Sequence, residues 1–324
     1  MEQPHRVDNA TEATRADLDR HIADVAARVR WPIEGIFGAD SVSWRINRES
    51  ALFLGAGRAA LLQLAHPWVA AALDQHSSLL AQPIARFHNT FRVVFTMIFG
   101  TAEQAFASAR SLYQMHTKIT GEIPEAVAGY EERTRYEALQ VPALKWVYAT
   151  LIESAMMAYE CVLPALSDEE RARYYAESKV LAGLFGLPAS SMPETWGEFE
   201  NYVAEMFASQ ALGLSERARY MGQQIMTGAG SWVHIPHWYR SLTAEMLPAR
   251  FREEFGMRYG QDERAAAERA RQWLPRIYTK LPAAVRYVGP YHEAEDRLAG
   301  SKAGFVARYS NTFWIGKKRM PFSA

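Results

Sequence analysis

Apolar residues recur at intervals of three and four along almost the whole chain, which is the spacing of amphipathic helices. In the first such segment, Leu18, Ile22 and Val25 share one face of a helix that we expect over residues 17–29. Alternating runs of Val, Ile and Thr between tight turns, which are typical of strands, are nearly absent. The sequence therefore predicts an all-α protein with few strands or none.

The length of the chain limits how its helices can be arranged. With 324 residues it exceeds the usual size of a single hydrophobic core, so we expect one large helical domain with additions. We interpret residues 1–41 as an N-terminal helix and connector and residues 42–227 as the core. Residues 228–324 are predicted to form a C-terminal helical extension packed on that core, loop-rich after about Lys280.

Composition narrows the classes of partner. The 36 Lys and Arg residues balance 36 Asp and Glu residues, which argues against binding to nucleic acid. Cys161 is the single cysteine, which excludes an intrachain disulfide and a cysteine-built metal cage, and is typical of a reducing cytosol. The N-terminus lacks the pattern of a signal peptide, and the apolar stretches are too short to cross a bilayer. We therefore expect a soluble cytoplasmic protein without a transmembrane segment.

Two helices in the middle of the chain are predicted to form a hairpin. The first should run from about Ile84 to Phe99 and the second from about Ala102 to Thr120. Gly100 and Gly121 follow them at the position where glycine commonly ends a helix. A short connection between two such helices makes them antiparallel neighbours.

Polar side chains on this hairpin are the main candidates for chemistry. Arg86, Asn89 and Thr90 fall on one helical face at the end of an apolar stripe, which indicates the polar end of an apolar pocket. On the second helix, His116 stands within an apolar stripe that we expect to extend to Thr120. An isolated histidine there is more often a structural core residue than a ligand, so both interpretations stay open.

General nucleotide and metal motifs are missing. The chain has no Walker loop, HExxH or GxSxG motif, and no strand is predicted before the glycines at Gly55 and Gly57. His234 and His237 flank Pro236, and neither a cysteine nor a nearby acid completes a set of zinc ligands. We interpret both histidines as structural polar residues.

Four segments resemble a known family, in the same order and without large gaps over about residues 42–227. They are GRAALLQLAHPWVAAALDQHS at 57–77, RFHNT at 86–90, MHTKITG at 115–121 and LKWVYATLIESAMMAYE at 144–160. These segments are similar to the bacterial latex clearing proteins, or rubber oxygenases, and to the fungal MpaB-type oxygenases. The resemblance implies an all-α, globin-like core that holds haem b on a histidine, and dioxygen chemistry on apolar, often isoprenoid, substrates.

The resemblance also assigns site residues. His116 takes the place of the proximal histidine that binds the haem iron, which is consistent with a neutral imidazole on an apolar helix face. Arg86, Asn89 and Thr90 match the distal block, where Arg86 would donate to a bound oxygen or a haem propionate and Thr90 to a bound oxygen. Thr120 is a further candidate for cofactor contact. The structural alternative is a surface arginine and a helix-internal threonine.

This chain departs from the family pattern at two positions. Rubber oxygenases carry a lysine where this chain has Asn89, so a lysine-ligated resting state is not expected here. Many relatives carry a histidine where this chain has Tyr148, which we interpret as a packing residue. His66 and His76 lie in the first resembling segment, where each could contact a propionate or, as the favoured alternative, cap a helix end.

The leading functional hypothesis is a haem b-dependent oxygenase or oxidase that acts with dioxygen on a small apolar substrate, unsaturated or isoprenoid. Polymeric rubber is disfavoured as the substrate because a polymer cannot enter a cell. The alternative is a noncatalytic helical protein that binds haem or an apolar ligand. Self-association is left open, and these residues predict neither the substrate nor the electron source.

Overall fold

The computed structural model describes residues 12–77, 80–229 and 234–322. Within these ranges the chain is mostly α-helical, and its strands form one two-stranded antiparallel sheet, which confirms the all-α prediction. The helices are α1 (Arg15–Arg28), α2 (Val42–Asn47), α3 (Ala56–Leu64), α4 (Pro67–His76), α5 (Pro83–Phe99), α6 (Ala102–His116), α7 (Val141–Glu160), α8 (Asp168–Leu184), α9 (Trp196–Ala208), α10 (Glu216–Thr227), α11 (His237–Met246), α12 (Ala249–Glu254), α13 (Gln261–Tyr278), α14 (Ala283–Arg286), α15 (Gly289–Leu298) and α16 (Phe305–Ile315). The strands are β1 (Thr120–Glu122) and β2 (Arg135–Glu137), and short 3₁₀ helices cover Pro32–Glu34, Ser50–Gly55 and Ala189–Ser191.

Side-chain caps fix where several helices begin. The Ser167 hydroxyl accepts from the backbone N–H of Glu170, and the Glu170 carboxylate accepts from that of Ser167, which forms a capping box at the start of α8. A second reciprocal box joins Thr101 and Gln104 at the start of α6. At the start of α9, Thr195 accepts from Glu198 N–H, whereas the Glu198 carboxylate accepts from Glu194 N–H.

The second helix of the hairpin is shorter than predicted. It ends at His116, and Thr120 begins strand β1, where it pairs with Glu137. The backbone N–H of Ala138 donates to Ile119 O at 2.9 Å, so tertiary pairing takes over where a helix would have continued. The prediction that the helical face extended to Thr120 is therefore wrong.

The C-terminal end was predicted to be loop-rich, but it contains α15 and α16, so that prediction is wrong. Both helices pack together, and Gly289 lies where an added side chain would collide with the backbone of α16. Helix α16 also lies against α5, because His88 Nε2 is 2.9 Å from Phe313 O and Arg92 Nη2 donates to Ile315 O at 2.8 Å. The C-terminal helices therefore support the hairpin directly.

Helix α7 lies at the centre of the molecule and is buried around most of its circumference. Its Tyr148 belongs to the largest apolar core, which also includes Phe99 from α5 and Ile315 from α16. Its Trp146 belongs to a second core with Phe251 of α12. None of the helices in the described ranges is long and apolar enough to span a bilayer.

Candidate functional site

The hairpin of α5 and α6 positions the candidate residues. Its helices turn at Gly100, and the Ser108 hydroxyl donates to Val93 O at 3.3 Å, which sets their register. Arg86 is seven positions before Val93 and His116 is eight positions after Ser108. At ~1.5 Å rise per residue these side chains lie roughly 11 and 12 Å along their helices from that hydrogen bond. The two side chains are therefore at the same end of the hairpin.

His116 is the last residue of α6. Neither ring nitrogen forms a hydrogen bond within the described residues, and Nδ1 is fully buried. Burial, together with the smaller effect of the positive charge of Arg86, lowers the pKa of His116 to about 4. The ring is therefore neutral near pH 7, the state in which an imidazole binds a metal.

Arg86 is a half-buried guanidinium without a counter-ion. No Asp or Glu of the described residues lies within 4.0 Å of it, and no hydrogen bond from its side chain is formed there. Burial lowers the pKa of Arg86, although an arginine stays charged under all ordinary conditions. A half-buried cation without an acidic partner in the described residues is suited to contact an anion or a developing negative charge.

The other predicted hairpin residues are placed differently. Thr90 is half-buried, and its hydroxyl donates to Arg86 O at 3.0 Å. Asn89 is exposed, and its Oδ1 accepts from Arg92 Nη1 at 3.1 Å. Thr120 is exposed in β1. Thr90 thus lies one helical turn from Arg86, whose charge acts on His116, whereas Asn89 and Thr120 are at exposed positions.

His66 belongs to a second group of unpartnered polar atoms. It is only 1% exposed, burial lowers its pKa to about 4, and its Nδ1 has no hydrogen-bond partner in the described ranges. The buried indole N–H of Trp68 is unpartnered in the same way, and the two rings lie 5.7 Å apart. The Tyr130 ring lies 5.2 Å from that of Trp68.

His66 was a candidate from the sequence, whereas Trp68 and Tyr130 were not. Trp68 had a usable signal, because it follows His66 by two positions in the first resembling segment. Tyr130 comes from the loop between β1 and β2, and no local pattern connects it to α4.

His76, Tyr148 and His237 have structural partners. His76 Nε2 lies 2.9 Å from Thr120 O, so this ring ties α4 to β1. The Tyr148 hydroxyl donates to Ser178 O at 2.6 Å, and its ring packs on Phe185 at 5.2 Å. His237 lies 3.8 Å from a Glu263 carboxylate oxygen. Among the residues placed in the structure, no group of three or more His, Cys, Asp or Glu is arranged to hold a bare metal ion.

An aromatic cluster lines α5 beside Arg86. The Phe53 ring lies 5.1 Å from Phe87, 4.6 Å from Phe91 and 4.3 Å from Trp314. Phe87 follows Arg86 and Phe91 follows Thr90 by one position, so these rings place apolar surface on the neighbouring face of α5. The site therefore combines a neutral imidazole, an unpaired cation and an apolar neighbourhood.

One known family matches the part of the chain that contains the hairpin. The family model described as "ER-bound oxygenase mpaB/B'/Rubber oxygenase, catalytic domain" matches residues 44–276, which include both helices of the hairpin. Neither the curated proteins nor the solved structures gave a significant match. The match covers more than half of the chain, and the protein therefore belongs to the family of mpaB and rubber oxygenase catalytic domains.

Proposed function

We propose that the protein is a haem b-dependent oxygenase that uses dioxygen to oxidise a small apolar substrate, unsaturated or isoprenoid, with His116 as the iron ligand. One observation carries this proposal: a neutral imidazole lies at the same end of the hairpin as a guanidinium, and neither has a side-chain partner among the described residues. Membership of an oxygenase family supports the reaction class.

The residues present fit a haem group. Haem iron takes one neutral imidazole nitrogen, and both nitrogens of His116 are without a hydrogen bond in the described structure. The two propionates of haem b are anionic, and the unpaired guanidinium of Arg86 suits such a group. The rings of Phe87 and Phe91 supply apolar surface of the kind that a porphyrin face contacts.

The reaction would divide between the cofactor and the chain. Haem iron, when bound, supplies the activation of dioxygen. His116 remains an unprotonated ligand near pH 7 because desolvation and Arg86 both disfavour its charged form. Arg86 keeps its charge and can stabilise negative charge that develops on an oxygen atom.

Thr90 and the aromatic cluster have supporting roles. The Thr90 hydroxyl donates a hydrogen bond to Arg86 O. The Thr90 oxygen can therefore still accept a hydrogen bond on the same helical face. The rings of Phe53, Phe87 and Phe91 limit the access of water on one side of α5 and so strengthen electrostatic interactions there.

The test is dioxygen uptake by the haem-loaded protein with a panel of unsaturated apolar compounds. We expect substrate-dependent uptake that falls about a hundredfold in Arg86→Ala, the usual loss when one stabilising donor is removed. Asn89→Ala is the matched control, because Asn89 is exposed on the same helix, and it should keep activity. A haem-loaded protein that consumes no dioxygen with any compound would instead be a carrier.

A further inference from the structure

Helix α16 has two apolar faces. Its inner face buries Ala307 and Ile315 in the core of the molecule. Its outer face carries Phe305, Tyr309 and Phe313 at intervals of four residues, and these side chains are 76%, 73% and 57% exposed. A surface helix normally presents polar residues to water, so three exposed aromatic rings in a row are unusual.

A basic cluster adjoins this aromatic face. A cavity of about 560 Å³ is lined by Arg92 of α5, Arg308 of α16, and the segment after α16 with Lys317, Lys318, Arg319 and Pro321. None of these five cationic side chains lies within 4.0 Å of an acidic group in the described ranges. The whole chain has no net charge, so positive charge is concentrated locally.

We propose that α16 and the basic segment that follows it form a peripheral docking surface for an anionic membrane. Aromatic side chains favour the interface between water and lipid, where an amphipathic helix lies in the plane of the membrane. Lys and Arg beside such a helix bind anionic headgroups. The surface joins both features on one element, and it stands apart from the proposed oxygenase reaction.

The positive charge of this surface favours an anionic membrane over a second copy of the chain as its partner. A two-fold symmetric dimer through this face would place two copies of the basic cluster in one interface. Like charges in such an interface repel each other, whereas an anionic surface neutralises them. A free phosphate ion would satisfy the cations but would leave the aromatic face in water.

Docking through α16 would also place the candidate site near the membrane, and only this point rests on the proposed function. Helix α16 is attached to α5 through the contacts of His88 with Phe313 and of Arg92 with Ile315. The helix that carries Arg86 would therefore lie beside the membrane, where apolar compounds concentrate.

The experiment is co-sedimentation of the full-length protein with phosphatidylcholine vesicles that contain or lack phosphatidylglycerol. We expect binding to the anionic vesicles at low salt, loss at high salt and little binding to neutral vesicles. Reversing Lys317, Lys318 and Arg319 to Glu should lower the partition coefficient by more than about tenfold, since each basic residue contributes at the surface.

Two further variants separate the aromatic contribution from a general charge effect. The variant Phe305→Ser, Tyr309→Ser, Phe313→Ser should also bind less, with an unchanged dependence on salt. The variant Arg276→Glu, Lys280→Glu changes one exposed cation on α13 and one just after it, and should bind like wild type. Circular dichroism checks that every variant is folded.

Three outcomes would overturn the proposal. The first is wild type that does not bind anionic vesicles at low salt. The second is an α13 variant that loses as much binding as the α16 variants. The third is light scattering that shows a wild-type dimer which the aromatic variant converts to monomer, because the face would then be a self-association surface.

Discussion

At the scale of single residues, the site depends on two groups that are unfavourable in isolation. Within the described residues, the imidazole of His116 forms no hydrogen bond and the half-buried guanidinium of Arg86 has no acidic partner, and both arrangements are unfavourable for folding. His116 and Arg86 lie at one end of the same hairpin, and the charge of Arg86 lowers the pKa of His116. A bound group that offers a metal to the imidazole and an anion to the guanidinium would satisfy both.

Removing the charge of Arg86 should change the titration of His116. In haem-free protein, Arg86→Gln should raise the pKa of His116 above about 4, because the repulsion from the guanidinium is lost. Desolvation is the larger cause and remains, so the pKa should stay below the ordinary 6.5. The measurement is an NMR titration of the histidine rings, with Arg92→Gln as the control on the same helix. An unchanged pKa in Arg86→Gln would show that the two side chains are not coupled.

His66 should make the protein less stable as pH falls. Its pKa is about 4 when folded against 6.5 ordinarily, so the unfolded chain binds a proton first. The free energy of unfolding should therefore be fully retained above pH 6.5 and decline as pH falls from 6.5 toward 4. From about pH 7 to about pH 5 this single group should remove roughly 2 kcal/mol.

Urea unfolding of haem-free wild type and His66→Asn at both pH values checks this expectation. The variant should be less stable at neutral pH but should lose roughly 2 kcal/mol less on acidification. An equal loss in both proteins would contradict the burial of a neutral His66 as the cause.

At the scale of helices and strands, proline and glycine residues predicted those helix ends that depend on neighbouring residues in the sequence. Helix α5 was predicted to within one residue at its start, because Pro83 begins it and Gly100 ends it. Helix α6 was extended too far, because Gly121 was interpreted as a helix end although it lies in β1. The pairing of Ile119 with Ala138 that ends this segment depends on a strand many residues away.

The C-terminal helices were not predicted, because the contacts that explain their sequence come from a neighbouring helix. The segment after about Lys280, which contains Gly289, Pro290 and Gly304, was predicted to be loop-rich. In the structure Pro290 occupies a first-turn position of α15, where proline is favourable, and Gly289 allows the close approach of α16. Only the neighbouring helix reveals why these residues are compatible with helical structure.

A buried polar group fastens α16 to α15, and its loss should destabilise the whole fold. Asn311 is fully buried and donates to the Glu293 carboxylate at 2.6 Å. Asn311→Ala removes this donor from a buried carboxylate and should lower the free energy of unfolding by about 2 kcal/mol. Urea denaturation measures the change, and Thr312→Ala on the exposed face is the control, expected within about 0.5 kcal/mol of wild type. If the two variants were equally stable, α16 would not be integral to the fold.

At the scale of the whole molecule, helices from the N-terminal part, the hairpin and the C-terminal end share one core around α7. The sequence predicted this helical class, and the resemblance predicted the family, because both depend on patterns within segments. It did not predict the group of His66, Trp68 and Tyr130 or the basic cavity beside α16, since distant segments form both.

The central claim is that His116 holds haem b, and the absorption spectrum of the purified protein tests it most directly. With adequate haem supply, wild type should show a Soret band, high-spin in the ferric state because the exposed amide of Asn89 is a poor ligand. His116→Ala should lose this band, while His88→Ala should keep it, because His88 already contacts the carbonyl of Phe313. A colourless wild type, or a His116→Ala variant with an unchanged Soret band and full haem content, would contradict the account.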